Sequence, residues 1–505
     1  MQKPQPTSFR NVASKGMAFT AIGQGLKLFV HVIAIVTLSR LLGPRDFGIF
    51  AMLSPVLALA ALVRDGGISG AILQRQSLSH ADLSTLFWIS VCWGLGLAAL
   101  LALSAPLIAA FYGEPRLVPL VVASASIVIT GSLSLQHMAI LNRELRFRVL
   151  AAIDAGSLAA GYLIGIAIAA LTRSYWALWA VNCTTAVSIL IASWTACRWR
   201  PGRPERHGAV SDILRVGGNI TVSGLFDFLI RSLDKVLIGW SRGDFELGLY
   251  DRAYRIVLLP LLFVTTPLDR LVLPSLVRKR DDAESYRKVY RLALQAPLLA
   301  IIPPMAIIMA APEPVCVLLL GREWASAAPL LAWLSLVGAL QLITSSLGSF
   351  LISQGRTRDL TVLNACSFAF AASAYLVGLR FGALGVATAY AISEIIRSPI
   401  ALWWATRHGP VRLKDVGAAV LPFLMSAVCV FAVVWSLERR LSSEPALLLG
   451  LAIPVSYAIT ILTMAVTAAG RQCLLEAAKV TIELRSSLKW PKGSGWMARR
   501  SVGQR

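Results

Sequence analysis

Residues 227–240, Asp227 followed by FLIRSLDKVLIGW, carry two aspartates, an arginine and a lysine in a stretch otherwise apolar enough to cross a bilayer. A Lys, Arg or Asp at the centre of a membrane helix costs about 2.5–3.5 kcal/mol on the insertion scale, while each Leu, Ile, Val or Phe returns about 0.3–0.6 kcal/mol. Four charges outweigh the apolar residues of the helix unless they are paired or face water. At a helical rotation of about 100° per residue, Asp227, Arg231, Asp234 and Lys235 fall within an arc of roughly 100°, one stripe that cannot face lipid. Gln24, Lys27 and His31 form a second stripe, on one face of the first apolar segment.

Two chemistries fit these stripes. Arg231 can bond Asp227 (i, i+4) and Asp234 (i, i+3), which makes a clamp internal to one helix. Alternatively, Lys27, His31, Arg231 and Lys235 line a cationic cavity for an anionic group such as a phosphate, with Gln24, Asp227 and Asp234 as polar partners. Lys27, His31 and Lys235 have no partner in their own helix under either reading. Glu394 and Arg397 (i, i+3) are a further charged pair expected to neutralise itself, and Asp154 is a candidate proton carrier near a segment end. Arg64, Arg75, Asp269 and Arg270 fall at segment ends, where snorkelling costs little.

The elements that position these residues are long apolar helices. The chain has 505 residues, 56% hydrophobic and 15% charged, far more apolar than a soluble domain. Apolar runs of membrane-crossing length recur at 16–40, 48–64, 84–111, 117–141, 149–171, 176–197, 213–240, 247–273, 291–311, 328–353, 359–379, 383–405, 415–437 and 445–468. The expectation is an all-α polytopic membrane protein of about fourteen spans. No cleavable leader is evident, since the first run is too long and lacks a small-residue cleavage site.

The net charge of +22 is scattered over loops such as RELRFR (143–148), RWRPGRPER (198–206) and RKRDDAESYRKVYR (278–291). Lys and Arg concentrate on one side, which places both termini in the cytoplasm and argues against nucleic acid as a partner. The seven cysteines form no CxxC, and most lie within spans, so neither a disulfide frame nor a metal site is expected. No GxxxxGK[ST], DxD or ligand cluster is present in an external loop, which disfavours an ATPase or a metal-dependent enzyme.

The sequence repeats itself. GPRDFGIF (43–50) returns as GDFELGLY (243–250), and YGEPRLVPLVVASASIV (112–128) returns loosely as LGREWASAAPLLAWLSLV (320–337). Each copy holds six spans, so both insert from the same side and the substrate site is expected between them. The division expected is a first lobe at 1–197, a basic cytoplasmic linker at 198–212, and a second lobe at 213–406. Two further spans at 415–468 and a basic tail at 469–505 complete the chain. Lys27 lies over Asp227 and His31 over Arg231 at the offset of 200 residues.

SKGMAFTAIGQG leading into LSRLLGPRDFGIFAM, ILNRELRFR, LDKVLIGW with GLYDRAYRI, and GREWASAAPLL together resemble the polysaccharide transporter (Wzx-like) family of the multidrug/oligosaccharidyl-lipid/polysaccharide (MOP) flippase superfamily. The resemblance covers roughly residues 10–410. It implies two pseudo-symmetric six-helix lobes around a cavity that opens alternately to each side. The cargo it implies is an undecaprenyl-diphosphate-linked glycan, moved across the bacterial inner membrane for exopolysaccharide, O-antigen or capsule biosynthesis. It selects Lys27, His31, Arg231 and Lys235 as the cationic ligands. It also implies H+ or Na+ coupling rather than a cofactor, membrane lipids as surroundings, and a polysaccharide polymerase or co-polymerase as protein partner. A MATE-like small-molecule exporter, a lipid II flippase and, less favoured, a membrane glycan polymerase stand as alternatives.

Overall fold

The computed structural model describes residues 27–74, 79–204, 208–441, 444–467 and 470–475. Gln24, Arg75 and the tail with Arg499 and Arg500 lie outside the described residues, as do the side chains of Asp227, Arg231, Asp269 and Arg270. The described chain is helical, with no strand. Helix α1 is described over 27–41. It is followed by α2 (Pro44–Asp65), α3 (Ile68–Gln74), α4 (His80–Tyr112), α5 (Leu117–Arg143), α6 (Phe147–Thr172) and α7 (Trp176–Ala196). The second half comprises α8 (Gly208–Arg278), α9 (Ala283–Ala310), α10 (Pro312–Leu320), a 3-10 turn (Arg322–Ala327), α11 (Ala328–Ser345), α12 (Leu347–Ser353), α13 (Thr357–Gly378) and α14 (Gly382–Thr406). Helices α15 (Leu413–Leu441) and α16 (Pro445–Val466) follow. Ten segments among the described residues are long and apolar enough to cross a membrane, and the protein is a multi-pass membrane protein.

The expected seventh and eighth spans are the two arms of α8, which meet at Gly243 with φ 78° and ψ −169°. Only glycine adopts that backbone freely. The arms fold back on each other without a loop, because Asp234 and Lys235 on one touch Tyr250 and Asp251 on the other. The expected second span ends at Gly66 and Gly67, both at positive φ, and a short helix, α3, continues beyond them.

The two halves of the chain use the same devices at equivalent places. Arg146, after α5, donates from Nη1 to Ala196 O at the end of α7 (3.0 Å); Arg356, after α12, donates to Ala405 O at the end of α14 (2.7 Å). Each arginine follows a left-handed residue, Leu145 (φ 55°) or Gly355 (φ 74°). At the opposite ends of the same helices, Asp46 accepts a backbone hydrogen bond from Tyr175, and Glu246 accepts one from Ala383 N–H at 2.7 Å. An acid at the N-terminus and an arginine on the last carbonyls both complement the helix dipole.

Small residues set the close packing, as expected where lipid supplies no hydrophobic drive between helices. Gly161 and Gly165 let α6 lie on α7, where an added Cβ would meet Thr185 Oγ1 at 2.1 Å and Val181 Cγ2 at 2.1 Å. Helices α15 and α16 pack against α9, and Tyr457 donates to Ala300 O at 2.9 Å.

Candidate functional site

Helices α1 and α6 of the first half and both arms of α8 bring a polar cluster together at the seam. At its centre is Asp251, 1% exposed. Lys235 Nζ lies 2.8 Å from its Oδ1, Arg255 Nε 2.7 Å from its Oδ2, and Arg252 Nη2 3.7 Å from its Oδ2. Three cations share one carboxylate. Asp234, also buried, accepts from Tyr250 Oη (2.9 Å) and from Lys235 N–H (2.8 Å). Across the seam His31 shares a hydrogen bond with Tyr162 Oη at 3.0 Å, and Arg252 and Arg255 act electrostatically on both of those rings. Arg252 lies 3.8 Å over the Phe47 ring of α2, so it is stacked against the opposite half.

Depth follows from helix rise. Lys235, Asp251 and Arg255 are 8 to 12 residues from Gly243, roughly 12–18 Å at 1.5 Å per residue, the middle of a hydrocarbon core about 30 Å thick. Lys27 lies one tier further from that end and pairs with Asp154 on α6 at 3.0 Å. Asp154 keeps 45% of its side chain exposed. Lys27, His31 and Lys235 each have their partner on a neighbouring helix. Glu394 and Arg397 pair with each other at 3.0 Å, and Arg397 reaches Ser367 on α13 at 3.0 Å.

Asp251, Arg252, Arg255 and Tyr162 are cluster members that the stripe argument misses. Three charges within five residues of an apolar segment, with Asp251 and Arg255 at i, i+4, were the available signal. The repeat hid it, because at an offset of 200 they fall over Ala51, Met52 and Pro55, which carry no charge. Arg64 lies in the last turn of α2, at a segment end as expected, and lays its guanidinium where a Cβ on Gly131 of α5 would stand, 1.5 Å from its Nη1. Tyr250 and Trp324 are among the fully buried aromatic residues. Tyr254 stacks on Tyr250 and lies 5.9 Å from Lys235 Nζ.

At the end marked by Gly43 and Gly243 the two halves interlock through their repeated motifs. A Cβ on Gly48 would stand 1.7 Å from Asp244 O, and one on Gly248 1.9 Å from Pro44 O. Trp324 Nε1 donates to Ser39 O (2.8 Å) and Arg40 Nη2 to Leu318 O (2.7 Å). Arg116 bridges Glu114 (2.7 Å) and Asp244 (2.9 Å). The Arg116 hydrogen bond holds the Glu114 carboxyl below its usual range. The stabilisation this supplies is present above the ordinary glutamate pKa and is lost as pH falls through the depressed one. Arg116 is about half exposed, so Arg116→Ala is expected to cost less than about 1 kcal/mol, and less still in high salt. Thermal unfolding of the purified protein at two ionic strengths checks this.

Two helical halves meeting at a buried charged seam make the fold shared by membrane transporters of the MOP superfamily. The lipid II flippase MurJ in its inward closed conformation superposes with a TM-score of 0.68 at 14% identity, covering 90% of this chain and 98% of that one. An inward-facing MATE family multidrug transporter of the MOP superfamily gives 0.58 at 15% identity, covering 77% and 95%. Within that class, the chain belongs to the polysaccharide biosynthesis protein family, which its residues 37–329 match. It is 24% identical over 400 residues to the lipopolysaccharide biosynthesis protein WzxC of Escherichia coli K12, covering 77% of this chain and 80% of that protein. It is 26% identical over 440 residues to the teichuronic acid biosynthesis protein TuaB of Bacillus subtilis 168, covering 84% and 89%.

Proposed function

We propose that this protein flips a polyprenyl-diphosphate-linked oligosaccharide repeat unit across the bacterial inner membrane by alternating access, with both termini in the cytoplasm. The observation that carries the reading is the seam cluster, where Lys235, Arg252 and Arg255 outnumber the carboxylates of Asp251 and Asp234 at mid-membrane depth. A net cation held there suits a diphosphate and repels cationic drugs. The relatives named for lipopolysaccharide and teichuronic acid biosynthesis support a glycan cargo.

Arg255 keeps 35% of its side chain exposed, against 9% for Arg252 and 14% for Lys235. It is the cation most able to turn from Asp251 to a substrate. Lys235, Arg252 and His31 orient it, while the more exposed Lys27–Asp154 pair offers a second cation nearer the cytoplasmic end. The assignment of Arg231 as a further ligand, and the coupling of transport to H+ or Na+, belong to this proposal. So do the two-lobe division at 1–197 and 213–406 with α15 and α16 as an appendage, and a polysaccharide polymerase or co-polymerase as partner.

Arg255→Ala is expected to lower transport at least about tenfold, the loss of one charge-assisted contact, with folding and insertion retained. The assay is the accumulation of repeat units on the cytoplasmic leaflet in a strain lacking other flippases. Wild-type transport by both Arg255→Ala and Lys27→Ala sinks the anion-cavity reading.

A further inference from the structure

A cavity of about 270 Å³ opens at the other end of the second half, lined by Arg280, Tyr286, Gln354, Arg356, His408 and Pro410. It lies where α8 ends, α9 begins, and the α12–α13 and α14–α15 connections pass, on the side that the positive-inside bias places in the cytoplasm. Its walls are built by specific bonds. Arg356 donates to Ala405 O (2.7 Å) and His408 O (2.5 Å), and its other nitrogens hold Asp359 (2.7 Å). Arg287 Nε donates to Pro410 O (2.6 Å). Buried Tyr286 forms the floor and is fixed by Ser353 Oγ at 2.5 Å.

The equivalent place in the first half is filled. There the segment after α7 folds under the start of α4. Gly202 N–H donates to Ser84 Oγ (2.9 Å), Trp88 Nε1 donates to Gly202 O (2.9 Å), and His80 Nε2 lies 3.1 Å from Arg200 O. In the second half the segment after α14 passes the start of α9 in the same way, through Arg287 and Pro410, but leaves the space between them open. Of the carboxylates nearby, Asp359 and Asp415 are engaged by Arg356 and Arg287, Asp282 accepts from the Glu284 and Ser285 N–H groups, and exposed Asp281 adjoins Arg280 in the chain. Exposed Arg280 and His408 face the opening with no acid bound to either among the described residues.

We propose that this cavity binds a phosphate-bearing anion, held by the Arg280 guanidinium and the His408 imidazole over the Tyr286 floor. Basic pockets between membrane helices at the cytoplasmic face suit acidic headgroups, and a guanidinium fork matches two phosphate oxygens. The volume admits a phosphate with a small organic substituent. The shared chemistry is the phosphate oxyanion, whether on a lipid headgroup or free in the cytoplasm. The site is separate from the seam and does not depend on the transport reading.

The test uses the full chain in nanodiscs. Wild type, Arg280→Ala, His408→Ala and the double variant are melted in phosphatidylcholine discs, in discs with phosphatidylglycerol, and in phosphatidylcholine discs with added inorganic phosphate. The result expected is a rise in melting midpoint of the wild type with phosphatidylglycerol or with phosphate, and a concentration midpoint shifted at least about tenfold in the double variant. A response to phosphatidylglycerol alone identifies a lipid headgroup; a response to inorganic phosphate in the neutral discs identifies a soluble phosphate. Both support the site. All four proteins responding alike to both additions, or none responding, overturns it. Both residues are exposed, so the variants are expected to fold, and equal midpoints of wild type and variants in plain phosphatidylcholine discs verify that.

Discussion

Asp251→Asn is expected to cost about 3–5 kcal/mol of stability, because it leaves Lys235, Arg252 and Arg255 facing one another around a neutral amide. Asp251 is 1% exposed and the shortest of its contacts are 2.7 and 2.8 Å, so solvent screens Lys235 and Arg252 little, while Arg255 at 35% exposure is partly screened. An effect of that size is a large fraction of a native stability of about 5–15 kcal/mol, and the amount of monodisperse protein extracted in detergent should fall several-fold. The diagnostic is the compensating change. Asp251→Asn with Lys235→Met removes one of the stranded cations, and is expected to recover part of the lost protein while transport stays impaired. If Asp251→Asn alone behaves as wild type in both extraction and melting, the three cations do not depend on that carboxylate and the seam is solvated rather than paired.

Gly48→Val and Gly248→Val are expected to lower transport at least about fivefold by a different route. In both, the new Cβ would sit under 2 Å from a main-chain carbonyl oxygen of the other half, 1.7 Å from Asp244 and 1.9 Å from Pro44. Backbone cannot retreat as the end of a flexible side chain can, so the two halves must separate at this end. Overpacking of this kind costs typically 1–3 kcal/mol even where some relaxation is possible. In an alternating-access protein it falls wholly on the state closed at this end, and about 1–3 kcal/mol there shifts the equilibrium between the two states about 5- to 150-fold. Each half remains free to fold, so the variants should reach the membrane. A cysteine at Arg255 in these backgrounds should react faster with a membrane-impermeant thiol reagent added from the periplasmic side than in a wild-type background. Equal labelling rates, with transport intact in the glycine variants that keep Arg255, would show that the contact is not a gate.

Several elements were legible from spacing alone. The pattern GPRDFGIF over GDFELGLY marked the internal repeat; that the two copies pack on each other, with Gly48 and Gly248 permitting the approach, came from the structure. The charged stripe identified α8 as a helix that cannot face lipid, and Asp234 and Lys235 do face the other arm of α8. Spacing did not show who pairs with whom. Asp234 appeared as a candidate partner for Arg231 because i, i+3 neighbours are visible in one dimension; the structure adds Tyr250 Oη and the Lys235 N–H as its donors, neither visible in the stripe, and the Arg231 side chain lies outside the described residues. Lys27 and Lys235 looked equivalent as unpaired cations, yet they occupy different tiers, one against Asp154 and one against Asp251.

By itself, then, the sequence determined what each helix could do alone: that it spans a bilayer, which face is polar, and where glycine must sit. These follow from periodicity and transfer energy, which are properties of a single segment. The tertiary structure alone decided the partners of the charges, because partnership in a membrane depends on which helices are neighbours and on the depth to which each residue is carried. The hairpin at Gly243 brings Lys235 against Asp251, and the packing of α1 on α6 brings Lys27 to Asp154 and His31 to Tyr162. No local spacing encodes contacts between residues 127 or 131 positions apart.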